Sequence, residues 1–207
     1  MNDQGTEAWH TDRLGSVTAS RISDMLASTK TGWGAGRKNY MAQLVCERLT
    51  GQREETFKSP AMERGNEIED EAARTYAFYH DADVQTVGFI PHPTIPMAGA
   101  SPDRLVNDDG LIEIKCPNTA THLETFEGAS IKRVYMLQMQ FQMACTGRKW
   151  CDFVSYDPRL PEHLAMHTRR IPRDQEQIAE IEKETKIFLD EVEAKVASLS
   201  GFKEAAE

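Results

Sequence analysis

The sequence predicts an α/β fold in which a central mixed β-sheet is flanked by helices. Two observations support this class. Several long segments repeat apolar residues at helical spacing, while shorter apolar runs bounded by glycine, proline and asparagine are typical of strands. The order, first helices and then strands interrupted by helices, favours a single α/β domain, and 207 residues are enough to bury its core.

The N-terminal half is predicted to be mainly helical. In order, we expect a flexible tail over 1–8, a short helix over 18–27, a glycine-rich basic loop over 30–38, a helix over 39–49, and a longer helix from 60 to about 80. Ser59 and Pro60 favour the start of the last helix because proline suits the first helical position, where no N–H is needed.

The C-terminal half is predicted to carry the sheet. In order, we expect a strand over 84–90, a hairpin formed by 97–106 and 111–116, helices over 120–126 and 131–145, strands over 151–156 and 164–171, and an amphipathic helix over 174–200. The turn 107–110, Asn-Asp-Asp-Gly, favours the hairpin, and an apolar stripe defines the last helix.

Two carboxylates and a lysine fall on the predicted hairpin. Because side chains alternate along a strand, Glu113 and Lys115 share one face, and the turn brings Asp103 alongside them. Neighbouring carboxylates repel each other unless a cation lies between them, and oxygen ligands suit Mg²⁺. Lys115 could then hold or help to deprotonate a water. The pattern indicates a phosphodiester-cutting site, although solvated hairpin charges or a simple salt bridge remain alternatives.

Two polar residues interrupt apolar helical stripes. Glu69 lies on the apolar face of the helix over 60–80, where it is either at the margin of the stripe or directed into a site. Gln138 lies among apolar residues of the helix over 131–145, and a buried amide bonded to backbone is the simpler interpretation for it alone. Together with the hairpin, both are candidate contributors to a metal–phosphate site.

Composition limits the function classes. The 24 basic and 33 acidic residues give a net charge of −9, which weakens a nucleic-acid interpretation without excluding it, since the bases occur in short clusters. No apolar run is long enough to span a membrane, and no signal peptide is evident. The scattered cysteines are expected to be small buried side chains in a reducing cytoplasm, which argues against a zinc or iron–sulfur site. They are Cys46, Cys116, Cys145 and Cys151.

Six segments carry a family resemblance. They are WHTDRLGSVTAS at 9–20, GNEIE at 65–69, SPD at 101–103, EIKCP at 113–117, YMLQMQ at 135–140 and YDPR at 156–159. In this order they resemble the lambda exonuclease family, the phage-type recombination exonucleases of the PD-(D/E)XK nuclease superfamily. The resemblance implies a restriction-endonuclease-like core and one nuclease domain over 1–207.

The resemblance also implies an activity. Members of the family are Mg²⁺-dependent 5′→3′ exonucleases that degrade one strand of linear double-stranded DNA processively, leave 3′ single-stranded overhangs and release 5′-mononucleotides by two-metal hydrolysis. Mn²⁺ is expected to substitute for the two Mg²⁺ ions. The implied partners are 5′-phosphorylated DNA ends, two further copies in a ring-shaped homotrimer, and a single-strand-annealing recombination protein. The implied setting is the cytoplasm of a bacterial host, with the gene carried by a phage or prophage.

The same resemblance implies roles for individual residues. The metal-binding set is Asp103, Glu113, the backbone carbonyl of Ile114, and Glu69, with Lys115 orienting or activating water. The set for the 5′-terminal phosphate is Arg13, Ser20, Ser101 and Gln138. This chain departs from the family pattern at Arg104, where the family pattern has glycine, and in the loop over 30–38. The alternatives are an endonuclease of the same superfold and a non-catalytic DNA-end-binding scaffold.

Overall fold

A computed structural model of the chain describes residues 2–53 and 60–203, without the side chains of 60–67 and 203. Its strands are β1 (Val17–Thr18), β2 (Ser28–Thr29), β3 (Gly32–Trp33), β4 (Val84–Gln85), β5 (Ile90–Pro91), β6 (Ala98–Ala100), β7 (Arg104–Val106), β8 (Gly110–Lys115), β9 (Trp150–Tyr156) and β10 (Met166–Pro172). Its α-helices are α1 (Glu7–Arg13), α2 (Ile22–Met25), α3 (Ala35–Thr50), α4 (Pro60–His80), α5 (Thr119–Phe126), α6 (Arg133–Thr146), α7 (Glu162–Ala165) and α8 (Gln175–Ser200).

Within these described residues the main sheet has five strands in the order β10-β9-β8-β7-β4. Strands β8 and β9 are parallel, whereas the other neighbours are antiparallel, so the sheet is mixed as predicted. A second sheet has the order β1-β6-β5, and β2 pairs with β3 in a separate hairpin.

Helices cover both faces of the main sheet. On one face, Leu111 and Phe153 pack in a core that includes Leu137 and Phe141 of α6. On the other face, Ile112, Ile114 and Val154 pack against Ala72 and Tyr76 of α4. Because side chains alternate along β8, Glu113 and Lys115 share the face of Leu111 and point toward α6. The predicted α/β class with flanking helices is confirmed.

The hairpin between β7 and β8 depends on its turn residues. Asn107 adopts φ 46°, a left-handed conformation that asparagine tolerates better than most residues. A Cβ atom on Gly110 would lie 2.1 Å from the Trp150 ring of the neighbouring strand. Glycine at this position therefore lets the first residues of β8 and β9 pack together.

Several boundaries differ from the sequence prediction. The segment 84–90 forms β4 and β5, which belong to different sheets, and the segment 97–106 is divided between β6 and β7. The expected strand over 164–171 begins only at Met166, because α7 precedes it. The segment 30–38 contains β3 and the start of α3. Short strands change partner wherever proline or a turn interrupts the ladder, which residue preferences alone do not show.

The N-terminal segment packs on the fold. The Gln4 side chain donates to the carbonyls of Val87 and Pro102 at 2.9 and 2.8 Å, and α1 begins at Glu7. These contacts involve the segment 1–8, for which a flexible tail stays a prediction, and Met1 lies outside the described residues. Among the cysteines, Cys145 and Cys151 are buried as expected, whereas Cys46 is exposed and Cys116 is half-buried. No helix in the described ranges is long and apolar enough to cross a membrane.

Candidate active site

The site lies where the chain passes from the second sheet into the main one. Arg104 is the first residue of β7 and pairs with Ile112 of β8, so Asp103 directly precedes β7. Its Oδ2 accepts the backbone N–H of Ile114 at 2.6 Å. Because the N–H and C=O of one strand residue point to the same edge, the Ile114 carbonyl faces the edge occupied by Asp103. The structure therefore brings together two of the predicted metal-binding groups.

Glu113 is fully buried, with a relative exposure of 0%. Its Oε1 accepts from Gln138 Nε2 at 2.7 Å and from Lys115 Nζ, and its Oε2 accepts from Gln142 Nε2 at 2.6 Å. A buried carboxylate without such partners is costly. The two amides and the ammonium group therefore hold Glu113 in one orientation.

Charges within this cluster act strongly on one another. Burial raises the pKa of Asp103 well above its usual range, the nearby Glu113 carboxylate raises it further, and Lys115 partly offsets this. Burial opposes the charged form of Lys115, but the carboxylates of Glu113 and Asp103 outweigh burial and raise its pKa. Lys115 is therefore a cation that balances part of the negative charge.

Glu69 faces the same edge of the sheet from α4 but contacts Arg104. Its Oε1 accepts from Arg104 Nη1 at 3.1 Å, and Arg104 Nη2 also pairs with Asp70. Burial raises the pKa of Glu69, whereas Arg104 and Lys115 lower it. Glu69 is thus near enough to the cluster to feel its charges, although its direct partner is a guanidinium.

A cation suits part of this donor set. Within the described residues, no group of three or more histidine, cysteine, aspartate or glutamate side chains is arranged to hold a metal ion. Glu113 nevertheless supplies a buried carboxylate and Asp103 a half-buried one. Loss of hydration and the nearby Glu113 carboxylate both raise the pKa of Asp103, and the Ile114 carbonyl adds a neutral oxygen. Mg²⁺ prefers oxygen ligands, and its positive charge would relieve the repulsion between the two carboxylates.

The residues expected to bind a terminal phosphate form two separate contacts. The Arg13 guanidinium lies 3.9 Å from the centroid of the Trp9 ring, and Trp9 Nε1 donates to Ser101 Oγ at 3.0 Å. Burial lowers the pKa of Arg13, and its buried Nε has no hydrogen-bond partner in the described structure. Gln138 instead donates to Glu113. Ser20 is exposed in a short segment that packs against α6 and β6.

Trp9 and Gln142 are two further residues of the site, and they were not expected there from the sequence. Trp9 precedes Arg13 by four residues, so the two share one face of α1. Gln142 follows Gln138 by four residues, which places both amides on the same face of α6. The helical spacing of these pairs was the available signal.

The fold and the site define an α/β protein with a carboxylate–lysine cluster at the edge of a mixed sheet. A family model described as the YqaJ-like viral recombinase domain matches residues 8–149, and the chain belongs to this family. A comparison with curated proteins found no match.

Three solved structures that are similar to this chain are structures of exonucleases. An alkaline exonuclease (LHK-Exo) from Laribacter hongkongensis is similar at 51% identity and a TM-score of 0.90, over 98% of this chain and 100% of that chain. LHK-Exo in complex with dAMP is similar at 53% identity and a TM-score of 0.89, over 97% of this chain and 99% of that chain. A phage-related exonuclease from Haemophilus somnus 129PT is similar at 17% identity and a TM-score of 0.72, over 89% of this chain and 96% of that chain. At this identity the similarity supports the fold alone.

Proposed function

We propose that this protein is a Mg²⁺-dependent 5′→3′ exonuclease that degrades one strand of linear double-stranded DNA. That it is a DNA exonuclease follows from its family and from its 51% identity to an alkaline exonuclease over nearly its whole length. The observation that carries the catalytic assignment is the convergence of Asp103, Glu113 and Lys115 at one edge of the sheet.

Asp103, Glu113, the Ile114 carbonyl and Glu69 would hold two Mg²⁺ ions, with Mn²⁺ as a substitute. When bound, such ions polarise the phosphodiester and make water more acidic. Lys115 donates to a water or to a phosphate oxygen at this edge and counters the charge that develops there. Glu69 would have to exchange Arg104 for metal, because its oxygen now accepts from that guanidinium.

The terminal phosphate of the cut strand would be bound by Arg13, Ser20, Ser101 and Gln138. The unpartnered Nε of Arg13 supports this role because it leaves a buried donor available. Gln138 contributes through its second amide hydrogen, since the first is engaged by Glu113. An arginine with neutral donors suits a phosphate dianion.

A repeated cycle follows from this arrangement. Each cut releases a 5′-mononucleotide and creates a new 5′-phosphate, so the same pocket can advance along the strand and leave a 3′ overhang for recombination. Processive cutting requires that the enzyme stay on DNA, for which a ring-shaped homotrimer is proposed. A single-strand-annealing protein would receive the overhang. A bacterial host cytoplasm, with a phage or prophage gene, is the proposed setting.

A plasmid experiment tests the class of nuclease. Linear and covalently closed forms of one plasmid are incubated with the enzyme and Mg²⁺, and with EDTA as a control. We expect degradation of the linear form only, and none in EDTA. Lys115→Ala should bind the linear form without cutting it. Nicking of the closed form would indicate an endonuclease, and no cutting of either form would support a DNA-end-binding scaffold.

A further inference from the structure

A groove begins at Lys115 and extends across the sheet on the side away from Asp103. Its volume is about 290 Å³. Its floor comes from β8, β9 and β10, and its walls come from α5, the loop after it and the first turn of α6. The groove is therefore continuous with the catalytic edge.

Strand register shows how the groove is connected to the catalytic residues. Two rows of paired residues cross β8, β9 and β10, and paired residues place their side chains on the same face. The rows are Glu113–Phe153–Arg169 and Lys115–Ser155–His167. Neighbouring strands lie about 4.8 Å apart, so each row ends about 10 Å from its catalytic member. Arg169 and His167 therefore share the face of the site.

The lining of the groove suits a polyanion. Lys132 and Arg169 are exposed, and neither side chain has a salt-bridge partner within the described part of the chain. By contrast, the adjacent Arg170 is held by both carboxylate oxygens of Asp152. Glu124 is an acidic member of the lining. Lys132 and Arg169 are thus cations available to a ligand.

An aromatic pair lies between these cations and Lys115. The rings of Tyr135 and Phe153 stack with centroids 5.7 Å apart, and Lys115 Nζ is 5.3 Å from the Tyr135 centroid. Phe153 is buried, whereas Tyr135 is half-buried and lines the groove. Cations combined with an accessible aromatic ring are a recurrent arrangement for binding a nucleic-acid strand.

We infer that this groove binds the DNA strand on the 3′ side of the bond being cut, with Lys132 and Arg169 contacting its phosphates. The inference rests on the proposed function. Arg13 and Ser101, assigned to the 5′ end, lie on the Asp103 side of β8, and the groove lies on the Lys115 side. A strand whose 5′ end is held on one side and cut at the carboxylates continues into the groove.

Equilibrium binding tests this inference. Full-length wild type, Lys132→Ala, Arg169→Ala and the double variant are titrated with a 5′-phosphorylated duplex without divalent metal, over a series of salt concentrations. The logarithm of the association constant K falls as log[salt] rises, and each lost phosphate contact reduces the magnitude of this negative slope by about one. We expect the double variant to bind about tenfold more weakly, with the magnitude of the slope reduced by about two. Lys195→Ala, which removes an exposed lysine on α8, is the matched control and should behave as wild type.

Three results would overturn the inference. One is an unchanged salt slope in the double variant. Another is a loss of affinity that accompanies a change of molecular mass in light scattering, which would make the groove a contact between copies. The third is an equal loss of affinity for free dTMP, which would assign the groove to the released nucleotide. Failure of wild type to cut linear DNA with Mg²⁺ would instead count against the proposed function, which this binding assay does not need.

Discussion

Gln142 donates its amide N–H to Oε2 of Glu113 at 2.6 Å. Both residues are fully buried, and the Oε1 atom of Gln142 has no hydrogen-bond partner among the described residues. Leaving this oxygen without a partner is unfavourable, but the reversed orientation of the amide would be worse because it would direct the oxygen at the negatively charged carboxylate. The amide N–H of Gln142 thus fixes the position of Glu113. The other carboxylate oxygen of Glu113 accepts hydrogen bonds from Gln138 and Lys115.

Gln142→Met should impair metal-dependent activity. The substitution keeps the volume but removes the donor, and loss of a group that orients a metal ligand typically lowers metal affinity or activity about 10–100-fold. We expect a higher Mg²⁺ requirement in the nuclease assay and weaker Mn²⁺ binding by the protein alone, measured by electron paramagnetic resonance.

Gln140→Met is the control for this variant. Gln140 is 2% exposed on the same helix, but it donates to the Pro172 carbonyl and accepts from the Asp174 N–H, both at 2.9 Å. The Gln140→Met substitution should lower the melting temperature without changing the Mg²⁺ requirement of the folded enzyme. A Gln142→Met enzyme with the Mg²⁺ requirement of wild type would contradict the positioning role.

Trp9→Phe should reduce the preference for phosphorylated ends. Phenylalanine keeps a ring beneath Arg13 but removes the indole N–H that donates to Ser101. A neutral hydrogen bond contributes about 0.5–1.5 kcal/mol, which corresponds to about a two- to tenfold effect. The measurement is the ratio of cleavage rates on 5′-phosphorylated and 5′-hydroxyl duplexes. Trp33→Phe, at a tryptophan that is 43% exposed in the β2–β3 hairpin, should keep the wild-type ratio.

The raised pKa of Asp103 predicts how stability depends on pH. A carboxyl group whose pKa is higher in the folded state binds more protons when folded, so the free energy of unfolding falls as pH rises from 3.8 toward the raised value. Without metal, Asp103→Asn should therefore increase the melting temperature at pH 8 more than at pH 4. Mg²⁺ should stabilise wild type at pH 8 and the variant much less. Equal effects of the substitution at both pH values would refute this electrostatic assignment.

Gly110→Ala should destabilise the hairpin that carries the site. The added Cβ would lie 2.1 Å from Trp150, so a strand or the ring must move. Overpacking of this kind costs about 1–3 kcal/mol in the free energy of unfolding, measurable by urea denaturation. Gly201→Ala is the comparison, because a Cβ there meets nothing within 4 Å and the backbone φ is −71°. Equal stability of the two variants would show that the hairpin tolerates the displacement.

Much of the fold was predictable because its strongest elements have clear periodic patterns. The long helix Pro60–His80, the terminal helix Gln175–Ser200 and the hairpin ending in Lys115 were all expected close to their observed bounds. The assignment of β4 and β5 to different sheets was not predictable. It depends on which partner completes each ladder, and residue preferences do not contain that information.

The site was predictable where residues are close in sequence and less so where packing brings them together. Strand alternation placed Glu113 and Lys115 on one face. The sequence interpretation paired Glu69 with metal and Gln138 with phosphate, whereas the structure shows Arg104 and Glu113 as their direct partners. Those contacts depend on how α4 and α6 lie against the sheet, which no local pattern specifies.

The polarity of strand degradation is the decisive test of the proposed 5′→3′ exonuclease activity. A linear duplex is phosphorylated at one 5′ end only, each strand carries a distinct internal label, and the products formed with Mg²⁺ are resolved over time. We expect the phosphorylated strand to shorten from its 5′ end and to release 5′-mononucleotides, while the complementary strand stays intact. Shortening from 3′ ends, or equal loss of both strands regardless of the phosphate, would contradict it.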